Sequence, residues 1–260
     1  MSDSTPLLEL RHITKSFGHV EALRGIDLTL RAGEVTALVG DNGAGKSTLV
    51  KTLSGFHSPT TGEMFVEGRP VAFASPKEAI AAGVATVYQD LGLVDSRSVA
   101  ANIYLGEEPT RFGFILNYKK MYRDGRVLLD RLRIRIPSVR ANVGELSGGQ
   151  RQAVAIARAL AQNSRVVLMD EPTAALGVEQ TATVGRQIED LRDAGHAVVL
   201  ISHDMQQVFE VSDNIFVLRR GRRAAFLRTE ETNREEIVGL ITGAIQGEAE
   251  ETTTIETQEH

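Results

Sequence analysis

The chain of 260 residues contains no cysteine. Without thiols it can build neither a disulfide nor a thiolate metal site, which fits a reducing compartment. Positive charge is in the minority, since 29 Lys and Arg stand against 34 Asp and Glu for a formal net charge of -5. Such a chain lacks the basic field that non-specific nucleic-acid binding uses, so no nucleic acid is expected as a partner. Long apolar runs are also missing, none approaching the ~20 residues that cross a bilayer. The opening MSDSTPLLEL has neither a basic start nor a long apolar stretch. A membrane is therefore expected to be reached through other proteins. No internal repeat is visible.

What is present is an ordinary globular composition, 42% hydrophobic, enough for one domain with a lobe or two domains of modest size. Leu8 and Leu10, then Ile26, Leu28 and Leu30, then Met64 and Val66, then Val71 and Phe73 alternate like half-buried antiparallel strands. Gly33, Gly62 and Gly68 punctuate them as turns. Threaded between is GEVTALVG, a short apolar strand that runs into glycines and then into the helical pattern KSTLVKTLSG. Residues of about 90 to 145 mix helical segments with loop signals, and the Ala-rich helix GQRQAVAIARALAQ follows. Two more apolar strands, RVVLMD and HAVVLIS, flank a helix around EQTATVGRQIEDLRDAG. Alternating strands and helices of these lengths predict an α/β fold with a mostly parallel sheet covered on both faces. The acidic, Thr-rich ending GEAEETTTIETQEH reads as a disordered tail.

The strongest chemical signal is GDNGAGKS, Gly40 to Ser47, a match to G-x-x-x-x-G-K-[ST] between a strand and a helix. There the backbone N–H groups of Gly40, Asp41, Asn42, Gly43, Ala44 and Gly45 can wrap a triphosphate at a positive helix end. Lys46 reaches the outer phosphates, Ser47 gives its hydroxyl to Mg2+, and Thr48 follows in the first helical turn. Asp170 ends an apolar strand, where a carboxylate holds Mg2+ directly or through water. Glu171, one residue on, is placed to polarise a water attacking the γ-phosphate. His203 ends a third strand and can donate to that phosphate or to the water. His12, His19, His57, His196 and His260 have no such setting and read as structural or surface residues. LSGGQ, Leu146 to Gln150, opens the Ala-rich helix; Ser147 with Gly148, Gly149 and Gln150 forms either a capped helix entry or a second anion cradle. Two glycines at a helix start lower its stability by roughly 1 kcal/mol each relative to alanine, which favours the cradle.

GDNGAGKS, LSGGQ, VVLMDEP and ISHD, in this order, resemble the motifs of the ATP-binding cassette ATPases, and the resemblance covers about residues 7 to 240. It implies a P-loop NTPase core with an antiparallel β subdomain and a helical signature subdomain. The expected bounds are 7–244 for the ATPase domain, with core and β subdomain at about 7–89 and 163–244 and the helical subdomain at about 90–162. Residues 245–260 form the expected tail. By the same resemblance Phe17 stacks on the adenine, and Gln89 meets Mg2+ and the attacking water. Family members act as head-to-tail dimers that clamp each ATP between one chain's phosphate loop and the other's LSGGQ. Glu171 then acts as general base and His203 holds the γ-phosphate. The motion passes to two membrane permease subunits docked near residues 89 to 106, at the cytoplasmic face of the inner membrane.

Two longer stretches, FHSPTTGEMFVEGRPVAFASPKEAIAAGVATVYQD and EPTAALGVEQ, resemble ATPases of bacterial monosaccharide importers. The resemblance implies sugar delivered by an extracytoplasmic binding protein through the permease. Many such ATPases carry two cassettes in one chain, whereas this one has a single cassette, so a homodimer is the simplest assembly and a heterodimer stays open. Another importer, an exporter, or an ATPase of nucleic-acid repair or translation is the alternative. Gly177 stands where most cassettes have an aspartate, and the glycine is expected to offer backbone groups and an unusual φ/ψ.

Overall fold

The computed structural model describes residues 5–132, 134–174 and 176–247. The chain begins as a hairpin, β1 (Leu8–Phe17) and β2 (Val20–Leu30), then enters the short strand β3 (Val35–Val39) and helix α1 (Lys46–Leu53). A second hairpin, β4 (Thr61–Val66) and β5 (Arg69–Val71), precedes α2 (Pro76–Ala81) and β6 (Val84–Val87). The helical lobe holds α3 (Val99–Ile103), the small hairpin β7 (Thr110–Arg111) and β8 (Ile115–Leu116), α4 (Tyr118–Arg131) and α5 (Gly148–Ala161). The chain then alternates through β9 (Val166–Asp170), α6 (Val178–Asp193), β10 (Ala197–Ile201) and α7 (Met205–Val211). It closes with β11 (Asn214–Arg219), β12 (Arg222–Arg228) and α8 (Arg234–Thr242).

The main sheet has the order β12-β11-β3-β10-β9-β6. Its strands are parallel except β12, which pairs antiparallel to β11. Every residue of β3 and β10 is buried, as expected of central strands covered on both faces. Leu38, Val199 and Leu168 point to one face, where they meet α1 and the antiparallel sheet β2-β1-β4-β5. Val167, Met169, Val198 and Leu200 point to the other and pack on Ala155 and Ile156 of α5 and Ile188 of α6. Each fully buried Leu or Ile contributes about 2 kcal/mol of transfer free energy, so this double layer fixes the register of the strands.

Helix α5 is buried on two sides. Ala155, Ile156 and Ala159 face the sheet, while Ala153, Val154 and Ala157 complete the core of the lobe with Val99, Ile103 and Leu129. The lobe is thereby tied to the sheet by the helix that its Gly-Gly start introduces. Phe73 is buried as its pattern suggested, but it lies past the end of β5. At the C-terminal end Ile245 donates its N–H to the Gly239 carbonyl, and Gly247 lies against Ala224, so residues 245–247 are still packed. The remainder of the expected tail, 248–260, lies outside the described residues. No described helix is long and apolar enough to cross a membrane.

Candidate functional site

Sheet register builds the site. Ile201 of β10 is level with Leu38 of β3 on one side and with Asp170 of β9 on the other. The loops that leave these three strands therefore open at one edge, the C-terminal edge where ligands of open α/β sheets bind. A cleft of about 1020 Å³ lies there, and Lys46, Ser47, Gln89, Asp170, Glu171 and His203 all line it.

The loop from Gly40 to Gly45 is held by its backbone. Gly40 has φ +155° and Gly45 φ +109°, values that favour glycine. Space is a second constraint: a Cβ on Gly40 would collide with the Leu218 carbonyl oxygen, and one on Gly45 would lie 2.8 Å from that of Ala22. Gly45 also starts α1 without any side-chain cap, so the first N–H groups of that helix are left for a ligand at its positive end. Gly40, Asp41, Asn42, Gly43, Gly45, Lys46, Ser47 and Thr48 line the cleft. Ala44 does not. It is buried, donates its N–H to the Asp41 carbonyl and accepts from the Gly221 N–H at 2.9 Å, so it anchors the loop to the turn between β11 and β12.

Charge converges on Lys46. Its ammonium donates to the carbonyl oxygens of Gly40 at 2.6 Å and Asp41 at 3.0 Å. Burial pulls its pKa below the usual lysine value, while Glu171, Asp41 and Asp170 act in the opposite sense. Burial likewise pushes the Asp170 carboxyl up, helped by the neighbouring Glu171 carboxylate and opposed by Lys46. A half-buried anion held close to another anion is an environment that a cation would relieve.

Glu171 has φ +50°, an uncommon conformation for a non-glycine residue, and its N–H donates to the Ile201 carbonyl at 3.0 Å. The turn aims its carboxylate at His203, whose Nδ1 lies 2.6 Å from Glu171 Oε2. That hydrogen bond, and the negative charge behind it, raise the His203 pKa above the ordinary histidine value. Asp204 serves the fold here, accepting from the Gln206 and Gln207 N–H groups as the cap of α7. Thr173 donates to Gln207 Oε1 at 3.1 Å and ties the loop after Glu171 to that helix.

Other sequence-based expectations meet a different geometry. Phe17 is not among the residues that line the cleft. It pairs with Val20, which does line it, and its ring stands edge-on to His57 with Lys15 Nζ 5.2 Å from its centroid. Ser147, Gly149 and Gln150 line a second cavity of about 920 Å³, bordered by Gln180, Thr183 and Arg186 of α6, and the two cavities share no lining residue. Within the chain Ser147 and Gln150 form a reciprocal capping box at the start of α5. A Cβ on Gly148 would lie 3.0 Å from the end of the Leu176 side chain, a tight contact, whereas at Gly149 the contact with Gln180 would be ordinary. Gly177 is no conformational special case. Its φ of -76° and ψ of 166° suit any residue, and a Cβ there would meet nothing within 4 Å.

Residues that the sequence reading passed over help to shape the cleft. Arg220 and Gly221, with φ +49° and +79°, make the tight turn between β11 and β12 that supports the phosphate loop. The apolar run IFVL, followed by the turn signal RRGRR, carried that hairpin signal. Among the described residues no group of three or more His, Asp or Glu side chains forms a metal cage. Ser47, Gln89 and Asp170 instead offer a hydroxyl, an amide and one carboxylate, a set that fits Mg2+ when substrate phosphates complete its oxygen shell.

Comparison with known proteins agrees with this geometry. Residues 23–174 match the family model described as ABC transporter. The chain is 47% identical to the xylose/arabinose import ATP-binding protein XylG of Sulfolobus acidocaldarius over 247 residues, 95% of this chain and 97% of that one. It is 44% identical to the ribose import ATP-binding protein RbsA of Yersinia pestis, covering 93% of this chain but 47% of that longer one. Among solved structures, MJ1267, an ATP-binding cassette of an ABC transporter in its ADP conformation, superposes with a TM-score of 0.78 at 26% identity. That match covers 92% of this chain and 96% of the other.

Proposed function

The chain belongs to the ABC transporter family of ATP-binding cassettes, and on that premise we propose that it hydrolyses ATP to energise uptake of a monosaccharide. The observation that carries the catalytic part is the meeting of Lys46, Asp170, Glu171 and His203 in one cleft at one sheet edge. The sugar assignment rests on the xylose/arabinose relative, matched over nearly the full length of both chains.

In this reading the uncapped N–H groups at the start of α1, from Gly45 to Thr48, take the β- and γ-phosphates, and Lys46 exchanges the Gly40 carbonyl for a phosphate oxygen. Ser47, Asp170 and Gln89 would hold Mg2+, which would supply neutralisation of phosphate charge. A water oxygen bonds to the γ-phosphorus as the bond to the β–γ bridging oxygen breaks, and Glu171 takes the proton released by the water. His203 occupies the Glu171 carboxylate until a γ-phosphate competes for the imidazole; the base is then free to act. Phe17, at the rim beside Val20, stacks on the adenine once it turns from His57.

Ser147 and Gln150 line a cavity apart from the cleft, which supports a head-to-tail pair in which a second copy brings these residues to the nucleotide. Two permease subunits and an extracytoplasmic sugar-binding protein complete the assembly, with this chain held at the cytoplasmic face of the inner membrane. The test is ATP hydrolysis with permease reconstituted in vesicles. Sugar-loaded binding protein should raise the rate, and a rate indifferent to permease, binding protein and sugar would refute import.

A further inference from the structure

Residues 109–123, PTRFGFILNYKKMYR, differ from the rest of the chain in two respects. They hold four of its thirteen Phe and Tyr residues, and four basic side chains with no acidic one, in a protein whose net charge is -5. In the structure this segment is the hairpin β7–β8 and the first turns of α4. Phe112 is 86% exposed and Phe114 79%, while Ile115, Leu116 and Tyr118 are also exposed.

The tip is an awkward place for an aromatic residue. Phe112 and Gly113 are both left-handed, with φ +55° and +82°, and Phe114 N–H donates to the Arg111 carbonyl across them. A bulky residue in that region is an outlier that lowers stability, and the exposed ring offsets little of it by packing within the chain. Beside the tip, Arg111 and Lys119 have no ion-pair partner among the described residues, and Lys120 and Arg123 share the single carboxylate of Asp124. None of residues 109–123 lines the nucleotide cleft.

We propose that the β7–β8 hairpin is a contact for an anionic lipid surface, inserting Phe112 and Phe114 among the headgroups while Arg111, Lys119 and Lys120 meet lipid phosphates. Aromatic tips with basic flanks suit that boundary, where rings sit at headgroup level and cations are drawn to a negative leaflet. Charge favours lipid over a membrane protein's cytoplasmic loops, because those loops carry an excess of Lys and Arg and would repel this patch. The same repulsion opposes pairing with the identical hairpin of a second copy.

The experiment is co-sedimentation of the full chain, without permease, with vesicles of phosphatidylcholine alone or containing about 30% phosphatidylglycerol. At low salt the chain should partition onto the anionic vesicles about tenfold more than onto the neutral ones, and high salt should reverse this. Phe112→Ser with Phe114→Ser, and separately Arg111→Gln with Lys119→Gln, should each lower partition about tenfold while melting temperature and ATP affinity stay unchanged. Lys46→Ala should partition like the wild type, so the outcome is independent of the nucleotide reading. The proposal is overturned if the chain ignores anionic lipid, if both double variants bind as well as the wild type, or if binding needs permease in the vesicle.

Discussion

His203 Nδ1 and Glu171 Oε2 are 2.6 Å apart, so the residue read as the base and the residue read as the γ-phosphate sensor are hydrogen-bonded to each other. The imidazole is 81% exposed, whereas the carboxylate is 22% exposed. The pair is thus an accessible imidazole resting on a sheltered carboxylate, an arrangement that an incoming phosphate can open from the solvent side.

Titration of His203 follows from this contact. The carboxylate raises its pKa, so its folded value lies above the unfolded one of about 6.5. The stability that the pair contributes is complete below that unfolded value and fades as pH rises through the folded one. In Glu171→Gln the His203 midpoint, followed by imidazole NMR, should fall toward the ordinary value. An unchanged midpoint would show that the contact is not made in solution.

Lys46→Ala should weaken ATP binding. Hydrogen bonds to charged groups contribute about 1.5–3 kcal/mol, roughly 10- to 100-fold in Kd. Fluorescent-nucleotide titration measures the loss directly. Equal affinity in the variant would remove the phosphate loop from the account.

Gly177→Asp separates coupling from folding. The position caps α6 with no side-chain hydrogen bond and has space for a Cβ. An aspartate there should raise stability by about 0.5 kcal/mol, as cap and as an anion at the positive helix end. A melting curve at or above that of the wild type, with an altered Hill coefficient for ATP hydrolysis, would place position 177 in communication between two sites. An unchanged Hill coefficient would make it plain loop.

Much of this site was legible because its signals are local. GDNGAGKS sits between a five-residue apolar strand and a helix, and Asp170 and His203 each follow an apolar run, so a period and a spacing suffice to place them at one edge. What stayed hidden depends on residues far apart in the chain. Gly40 needs to be glycine because Leu218 lies against it, and Ala44 is an anchor because Gly221 reaches it. Phe17 has the expected position in the sequence, but His57, forty residues on, shares its ring. Gly177 misled in the opposite direction, since a glycine suggested special backbone where the chain adopts an ordinary extended conformation. The capping box of Ser147 and Gln150 was readable from its spacing, while the contact of Gly148 with Leu176 required the fold.

The central claim is that Glu171 accepts the proton of the attacking water. Its most direct test is single-turnover hydrolysis by Glu171→Gln, with ATP affinity and molecular mass measured on the same sample. Loss of a general base lowers the rate by about 100-fold or more, so the variant should bind ATP like the wild type, accumulate as a dimer and leave the nucleotide intact. Hydrolysis at the wild-type rate would contradict the assignment.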